Sequence, residues 1–214
     1  MRGEDYTSVP VEFGSGSLSE GEVKAHPLEQ LSDWLRKAIA LPEVSPTAMC
    51  LSTSTFQGRV SARIVLIKRL DARGLYFFTN YESKKGGQLL QNPYASAVFY
   101  WPALERQVRV EGQAQRLDDA QNDRYFAQRD PQSRLGAWAS PQSQVIPSRK
   151  YLDTLQSDFQ EEYNGQEIPR PTNWGGYCLA PEVVEFWQGR PSRLHDRLQY
   201  TLFNGEWQLE RLAP

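Results

Sequence analysis

Histidine and cysteine are scarce in this chain, and their scarcity excludes several kinds of site. Two of the 214 residues are histidines, His26 and His195, so a multi-histidine metal site is excluded unless carboxylates dominate it. The two cysteines, Cys50 and Cys178, are far apart and form no Cys-x-x-Cys pair. A disulfide scaffold and a zinc ribbon are therefore both disfavoured. We expect a reducing compartment, and hence a cytoplasmic protein.

The chain also lacks long apolar runs and a strong net charge. No run approaches membrane-spanning length, and the first residues, M-R-G-E-D-Y-T, contain no apolar segment of the signal-peptide type. The net charge of −2 gives no general reason to expect binding to nucleic acid or to a membrane surface. Any anion site must therefore be local.

Several well-known nucleotide and hydrolase motifs are missing as well. The glycines near residue 15 do not fit G-x-G-x-x-G and follow no predicted strand, and there is no P-loop. His195-Asp196 has serines nearby, but adjacent residues of an extended chain point apart and no G-x-S-x-G elbow exists. Nucleophilic hydrolysis is therefore disfavoured.

What the chain does contain is a series of short strand patterns with helices between them. Residues 1–25, rich in glycine and acids, are predicted to be a mobile arm, and residues 26–214 a single domain. A helix is predicted from Pro27 to about residue 40, with an apolar stripe of Leu28, Leu31, Leu35 and Ile39. Strands are predicted at 47–56, 59–68, 75–80, 94–101, 106–116, 177–180, 183–188, 199–203 and 207–212. Helices are predicted at 83–91, from Asp118 or Asp119 to about 129, and from Ser148 to Gly165, while 133–140 is ambiguous. Such spacing indicates a mainly β fold, an antiparallel barrel or sandwich.

The stretch from Val183 to Arg197 carries the most distinctive side chains. A β-branched and aromatic strand ends at Gly189 and Pro191, and three basic residues then follow at spacing two. On an extended chain that spacing places all three on one face, beside Trp187 and Gln188. The pattern favours an anion site over a solvated strand edge, because guanidinium groups bind phosphate or carboxylate bidentately. The three residues are Arg193, His195 and Arg197.

Two further segments could bind anions. Arg63 and Lys68 flank a core strand, although their opposite parity requires a bulge if they are to share a site, and a solvated strand end explains them equally well. Lys84 and Lys85 follow Ser83 in the first turn of a predicted helix, where free N–H groups and the positive dipole end favour a bound anion. A solvated helix face is the alternative for this pair.

Tyr125, Arg129 and Ser133 form a third candidate. Tyr125 and Arg129 are four residues apart on one predicted helix and so share a face, and Ser133 follows just after Pro131. Together they could hold a phosphate, although such pairs are common on helix surfaces.

The chain resembles the pyridoxine (pyridoxamine) 5′-phosphate oxidase family from about residue 27 to residue 214. The resemblance is carried by R-I-V-L-I-K, F-F-T-N-Y-E-S-K-K, R-Q-V-R-V-E-G, R-D-P-Q-S-R-L-G-A-W-A-S-P-Q-S, F-W-Q-G-R-P-S-R-L-H-D-R and the terminal R-L-A-P. It implies an FMN-binding split barrel, an antiparallel Greek-key barrel with flanking helices. It also implies a homodimer with two FMN sites at the subunit interface. The implied reaction oxidises pyridoxine 5′-phosphate or pyridoxamine 5′-phosphate to pyridoxal 5′-phosphate, with hydride transfer to FMN and dioxygen reduced to hydrogen peroxide.

The resemblance also assigns roles to individual residues. Those implied to bind FMN, partly from the second subunit, are Arg63, Ile64, Val65, Leu66, Ile67, Lys68, Phe78, Thr79, Lys84, Lys85, Gln107, Gln142, Ser143, Trp187 and Arg197. Those implied to hold the substrate phosphate are Lys68, Tyr125, Arg129 and Ser133. Arg193 and His195 are implied to lie over the substrate ring, where they would position and polarise it. Gly86 and Gly87 depart from the helix formers expected there, and Arg2 and Tyr6 of the arm are candidate lid residues.

Two alternatives remain from the sequence. Another split-barrel flavoprotein would keep the Arg63 and Lys84-Lys85 features but lack the Tyr125, Arg129 and Ser133 set. A carrier of pyridoxal phosphate or a flavin-storage protein would bind without turnover.

Overall fold

The structure of the chain is a computed structural model that describes residues 12–14, 16–42 and 45–214. Within these residues the chain forms nine β-strands and five α-helices. The strands are β1 (Ala48–Ser54), β2 (Val60–Leu66), β3 (Arg69–Asp71), β4 (Gly74–Asn80), β5 (Tyr94–Trp101), β6 (Arg106–Arg116), β7 (Trp174–Gln188), β8 (Asp196–Phe203) and β9 (Glu206–Leu212). The helices are α1 (Pro27–Ile39), α2 (Lys84–Gln91), α3 (Asp119–Ala127), α4 (Pro131–Ala139) and α5 (Arg149–Glu162). No described helix is long and apolar enough to cross a membrane.

The strands pair in one hydrogen-bonded sheet. Their order is β2-β1-β5-β6-β7-β4-β3, and β8 pairs with β7 and β9. The pairings β1–β2, β3–β4, β4–β7, β7–β8 and β8–β9 are antiparallel. The predicted mainly antiparallel fold with flanking helices is therefore confirmed.

Two compact units make up the described chain. The larger unit comprises Thr47–Ala97 and Glu111–Glu182. The smaller unit comprises the described residues up to Pro46, together with Val98–Val110 and Val183–Pro214.

The core of the larger unit follows from the alternation of its strands. In β1 every second residue is buried, because successive side chains of a strand point to opposite faces. Strand β4 is buried almost throughout, and its Phe77 ring stacks on Tyr177 of β7 at 5.6 Å. A second cluster of Phe126, Leu135, Ile168 and Trp174 packs helices α3 and α4 against the start of β7.

Helix α1 packs in the smaller unit by a stripe that differs from the predicted one. Leu28 and Leu31 are buried as predicted, whereas Ile39 is 54% exposed. Trp34 and Ala38 complete the buried stripe, and the Trp34 ring meets Phe186 edge-on at 5.1 Å. The prediction for Ile39 was wrong because the helix turns its last residue away from the core.

Most predicted turns and caps are confirmed. Asn204 and Gly205 join β8 to β9 with positive φ angles of 52° and 84°, as a two-residue Asn-Gly hairpin requires. Ser83, Asp118 and Ser148 cap α2, α3 and α5 through their side-chain oxygens.

Three elements differ from the prediction. The ambiguous segment 133–140 forms most of helix α4 and its C-cap residue, Ser140; the helix begins with Pro131 at its first position and Asp130 as its N-cap. The predicted strands 177–180 and 183–188 are one continuous strand, β7, that runs through Pro181. Strand β3 was not predicted, because three residues are too few to show an alternation.

The segment after Gly189 is not extended, contrary to the prediction. Pro191–Arg193 forms a short 3₁₀ turn, and Ser192 and Arg193 have positive φ angles of 56° and 60°. Because this turn reverses the chain, the spacing-two argument does not place Arg193, His195 and Arg197 on one face.

Part of the predicted mobile arm is held by hydrogen bonds. Arg211 donates to the Leu18 carbonyl and to the Glu20 carboxylate, and the Tyr200 hydroxyl donates to the Lys24 carbonyl. Residues between Leu18 and Lys24 of the predicted arm are thus bonded to β8 and β9. Arg2 and Tyr6, the candidate lid residues, lie outside the described residues.

Close packing explains why the first residue of the glycine pair in α2, Gly86, is a glycine. A Cβ on Gly86 would lie 2.1 Å from the Tyr81 carbonyl oxygen, so the start of the helix can approach that turn only with glycine there. A Cβ on Gly87 would meet no atom within 4 Å.

Gly86→Ala and Gly87→Ala form a matched pair that tests this packing. Gly86→Ala should lower the free energy of unfolding by roughly 1–3 kcal/mol, as overpacking of a close contact does. Gly87→Ala should raise it by roughly 0.5–1 kcal/mol, because alanine is the better helix former. Denaturant unfolding of both variants measures the difference, and equal effects of the two changes would contradict the assignment.

Candidate active site

A cavity of about 560 Å³ lies within the larger unit. Its lining residues come from β2, β4, α2, α3, α4 and the start of β7, and from the loops beside them. They are Ile64, Val65, Leu66, Lys68, Phe78, Thr79, Lys85, Tyr125, Gln128, Arg129, Asp130, Ser133, Gln142 and Trp174. Three cations and one carboxylate are among them, so the cavity favours an anion.

Lys85 provides a buried ammonium group at one part of this cavity. Its side chain is only 8% exposed, and Nζ donates to Thr79 Oγ1 at 2.9 Å and to Gln142 Oε1 at 2.8 Å. Burial and, to a lesser extent, the nearby Arg63 lower the pKa of Lys85 to about 8. Nζ also donates to Ser83 Oγ at 3.5 Å. All three hydrogen-bond partners are neutral, so the charge of Lys85 remains available to an anion.

Arg63 lies beside Lys85 but does not line the cavity. Its guanidinium donates to the Leu51 carbonyl at 3.0 Å, to Thr53 Oγ1 at 2.7 Å and to Ser61 Oγ at 2.6 Å. Burial lowers the pKa of this half-buried arginine. A guanidinium surrounded by neutral acceptors adds positive potential without occupying the cavity.

Arg129 lies at another part of the cavity with a nitrogen that has no partner. Its Nη1 atom is buried and makes no hydrogen bond, and its guanidinium lies over the Trp174 ring at 4.5 Å. Burial lowers the pKa of Arg129, with Tyr125 and Asp130 acting in the opposite direction. Arg129 also lines the cavity, and an unsatisfied guanidinium nitrogen is a feature that an oxyanion would satisfy.

The local geometry around Arg129 differs from the prediction in one respect. Helix α3 ends at Ala127, so Arg129 follows the helix and does not share a helical turn with Tyr125. The Arg129 amide still donates to the Phe126 carbonyl, and Ser133 lies in the first turn of α4, where its amide donates to Asp130. Tyr125, Arg129 and Ser133 nevertheless all line the same cavity.

Near-parallel aromatic rings form a wall of the cavity. Phe78 stacks on Tyr125 at 3.7 Å with an interplanar angle of 11°, and on Trp174 at 5.5 Å with an angle of 12°. Such a surface suits contact with a flat ring.

The other predicted residues do not line this cavity. In the larger unit, Ile67 is buried, Lys84 is exposed and Ser143 has a positive φ angle of 70°, and none of the three lines the cavity. Four further predicted residues and Gln107 belong to the smaller unit. They are Trp187 near the end of β7, and Arg193, His195 and Arg197 after that strand.

In the smaller unit the rings of Trp187 and His195 lie together and contact Phe13. The rings of Trp187 and His195 are 4.6 Å apart, and Phe13 meets each of them edge-on at 5.3 Å. His195 Nδ1 accepts a hydrogen bond from the Arg190 amide at 3.1 Å. The neutral ring therefore carries its proton on Nε2, which makes that atom a donor. Arg193 lines a separate cavity of about 520 Å³ with Phe13 and Arg190.

Arg197 is held more tightly than the sequence suggested. Its Nε and Nη2 atoms donate to the buried Glu185 carboxylate at 2.8 and 3.1 Å, and Nη1 donates to the Ala213 carbonyl at 2.7 Å. The hydrogen bonds to Glu185 raise the pKa of Arg197. The terminal R-L-A-P segment thus helps to fix this guanidinium.

Sequence reasoning missed four of these residues. Gln128 and Asp130 flank Arg129, and that adjacency is a signal that could have suggested them. Trp174 precedes Gly175 and Gly176 and stands in no motif that indicates binding. No local pattern marks Phe13. Among the described residues no group of three or more His, Cys, Asp or Glu side chains could hold a metal ion.

Two family models match this chain. Residues 32–155 match the model described as pyridoxamine 5′-phosphate oxidase. Residues 174–214 match the model described as the pyridoxine 5′-phosphate oxidase C-terminal dimerisation region.

Curated relatives and solved structures agree with these matches. A pyridoxine/pyridoxamine 5′-phosphate oxidase of Synechocystis sp. is 49% identical over the whole of both chains. That of Paraburkholderia xenovorans is 53% identical over 94% of this chain and 95% of its own. PhzG from Burkholderia lata, solved with tetrahydrophenazine-1-carboxylic acid, has a TM-score of 0.87 and 31% identity over 92% of this chain and 98% of its own.

A Nostoc punctiforme protein described as pyridoxamine 5′-phosphate oxidase-related and FMN binding supports the fold. It has a TM-score of 0.69 and 21% identity over 93% of this chain and the whole of its own. The shared fold is the antiparallel split-barrel fold with flanking helices. With two family models and near-full-length relatives at about half identity, the chain belongs to the pyridoxine/pyridoxamine 5′-phosphate oxidase family.

Proposed function

We propose that this protein oxidises pyridoxine 5′-phosphate or pyridoxamine 5′-phosphate to pyridoxal 5′-phosphate, with FMN as cofactor and dioxygen as electron acceptor, releasing hydrogen peroxide. The observation that carries the proposal is one cavity lined by both Lys85, with its buried ammonium, and Arg129, whose guanidinium has a nitrogen without a partner. Two separate cationic positions in one cavity suit two phosphate groups, that of the cofactor and that of the substrate. The names of the full-length relatives support the same reaction.

The residues around Lys85 fit the phosphate and ring of FMN. Lys85 has a free charge, the first turn of α2 offers backbone N–H groups, and Arg63 adds positive potential. The other residues proposed to contact FMN in the larger unit are Ile64, Val65, Leu66, Ile67, Lys68, Phe78, Thr79, Lys84, Gln142 and Ser143. Gln107, Trp187 and Arg197 are proposed to complete the site, partly from the second subunit. When bound, FMN supplies the hydride acceptor, and the protein supplies binding and orientation.

The substrate phosphate is proposed to lie against Lys68, Tyr125, Arg129 and Ser133. All four line the cavity, and Arg129 offers the donor that the protein itself leaves unused. Arg193 and His195 are proposed to position and polarise the substrate ring. Because His195 Nδ1 already accepts a hydrogen bond, its neutral ring would donate from Nε2, which does not favour a role as general base.

A homodimer with FMN sites at the subunit interface is part of this proposal. Alternate residues of β2 expose large apolar side chains, with Val60 at 70% and Ile64 at 65% exposure. Such a surface is typical of a protein–protein interface, and the match to a dimerisation region supports the same assembly. We propose that residues 26–214 act as one cytoplasmic FMN-binding domain.

A second candidate substrate class comes from the likeness to PhzG, which was solved with a carboxylated tricyclic compound. Arg129 and Lys68 could also bind a carboxylate. We favour the phosphate ester, because Tyr125 and Ser133 add hydroxyl donors beside Arg129 and oxygens of a phosphate can accept from all of them.

An absorbance spectrum of the purified protein, followed by anaerobic addition of pyridoxine 5′-phosphate, tests the function. We expect a flavin band that bleaches on addition and recovers, with formation of hydrogen peroxide, when air is admitted. A flavin band that persists after addition would favour a storage or carrier protein. Bleaching by an aromatic carboxylate but not by pyridoxine 5′-phosphate would favour the second substrate class.

The pKa of Lys85 predicts how FMN affinity depends on pH. In the FMN-free protein Lys85 loses its proton near pH 8, whereas a bound phosphate dianion would hold the proton to higher pH. Binding above that pH therefore takes up a proton, and affinity should fall by up to about tenfold per pH unit. Fluorescence titration with FMN between pH 7 and 10 measures the slope.

Two lysine variants serve as controls for this slope. Lys85→Arg should bind FMN with a flat pH profile over the same range, because guanidinium stays protonated. Lys84→Gln should weaken FMN binding but keep the wild-type slope. A Lys85→Arg profile as steep as that of the wild type would assign the titration to another group.

Arg129→Gln should raise KM for pyridoxine 5′-phosphate by roughly ten- to a hundredfold, the effect of one lost charge-assisted contact. FMN should remain bound, because the residues proposed for its phosphate lie around Lys85. Steady-state kinetics and flavin content of the same preparation provide both readouts.

Arg124→Gln is the matched control for that variant. Arg124 is exposed on α3 and does not line the cavity, so its KM should stay close to that of the wild type. If unphosphorylated pyridoxine loses turnover in Arg129→Gln as much as the phosphate ester does, Arg129 has a structural role.

A further inference from the structure

Arg129 differs from Arg170, another partly buried arginine of its unit, in how it is held. Arg170 is held by two carboxylates, those of Asp119 at 2.7 Å and Asp123 at 2.6 Å. For Arg129 no described carboxylate lies within ion-pair distance, and its guanidinium rests on the Trp174 ring at 4.5 Å, with Phe126 at 5.5 Å. The adjacent Asp130 carboxylate is occupied as the cap of α4, where it accepts from the Ser133 amide.

An aromatic face holds a guanidinium without using its hydrogen-bond donors. A carboxylate partner would neutralise the charge and occupy two N–H groups in a bidentate pair. A ring attracts the same cation through its quadrupole and leaves the N–H groups in the guanidinium plane available. The unpartnered Nη1 atom of Arg129 is in agreement with this difference.

Trp174 is itself firmly fixed, as a supporting residue must be. It is the first residue of β7 and pairs with Asn80 of β4. Its amide donates to the Pro171 carbonyl at 3.0 Å, and its carbonyl accepts from Arg170 at 2.8 Å. Its ring is 7% exposed, stacks on Phe78 and meets Phe126 edge-on at 5.1 Å. The indole plane therefore has little freedom to move.

We propose that Trp174 is a positioning residue for recognition of the substrate phosphate. Its ring fixes the Arg129 guanidinium by a cation–π contact and so leaves the N–H donors of Arg129 free for the phosphate. This inference rests on the proposed function, since it takes Arg129 as the phosphate-binding residue.

The proposal predicts a graded response to the side chain at position 174. Phenylalanine keeps an aromatic face that attracts a cation less strongly than indole, and leucine keeps apolar volume without such a face. In the FMN-loaded dimer, Trp174→Leu should raise KM for pyridoxine 5′-phosphate by roughly two- to thirtyfold, with kcat close to that of the wild type. Trp174→Phe should have a smaller effect, and both variants should keep the wild-type FMN affinity.

An unreactive ligand provides a readout that does not depend on turnover. 4-Deoxypyridoxine 5′-phosphate keeps the phosphate and ring but has no oxidisable group at C4′. Its dissociation constant, measured from the flavin absorbance, should rise in the same order as KM. If the wild type binds neither this probe nor the substrate, it is the proposed function that fails, and the inference fails with it.

A double-mutant cycle separates positioning from direct contact. In the Arg129→Gln background, Trp174→Leu should change the dissociation constant of the probe by less than twofold, because the group it positions is gone. Additive effects would mean that Trp174 acts independently of Arg129, and that result would overturn the proposal.

Trp138→Leu is the matched control for loss of an indole from the same core. Trp138 packs on Phe159 and Tyr163 and does not line the cavity. This change should lower thermal stability without altering KM. If Trp174→Leu does not fold, Trp174→Phe carries the test alone, and wild-type KM and probe affinity in that variant would overturn the proposal.

Discussion

The larger unit is built around one constraint: three of its buried or half-buried cations are held by neutral groups and not by carboxylates. Lys85, Arg63 and Arg129 are wholly or partly buried, and no described carboxylate lies within ion-pair distance of them. Burial of a charge without a counter-charge is unfavourable, which is why the pKa values of all three are lowered. By contrast, Arg170, Arg197 and Arg211 are paired with carboxylates. The protein thus places its uncompensated charge where an anionic ligand can stabilise it.

The scaffold around these cations leaves them few alternative positions. Gly86 lets the start of α2 approach the Tyr81 carbonyl, so Lys85 enters the cavity from a fixed helix. The junction of α3 and α4 is capped by Asp130, which fixes Ser133 next to Arg129. The stacked rings of Phe78, Tyr125 and Trp174 form a wall of the cavity that Lys85 and Arg129 also line. Each cation is therefore positioned by hydrogen bonds or ring contacts that do not consume its charge.

The sequence by itself determined the elements and the chemical class of the site. Alternating apolar residues specified the strands, and side-chain caps such as Ser83 specified where helices begin. Asn204-Gly205 specified a hairpin, because both residues tolerate positive φ. These signals are local, because each depends on only a few consecutive residues of one turn, helix end or strand. The ordered motifs then carried the family resemblance, which named the residues around Lys85 and Arg129.

Only the tertiary structure decided which groups support those residues. Trp174 lies 45 positions after Arg129 in the chain, and Phe13 lies 182 before His195, so no local period could connect either pair. The positive φ angles of Ser192 and Arg193 could not be predicted either, because residues other than glycine adopt them only when surrounding contacts compensate for the strain. Local patterns determine which conformations a segment prefers. The partner of a buried charge is determined by the packing of distant segments, which sequence spacing does not encode.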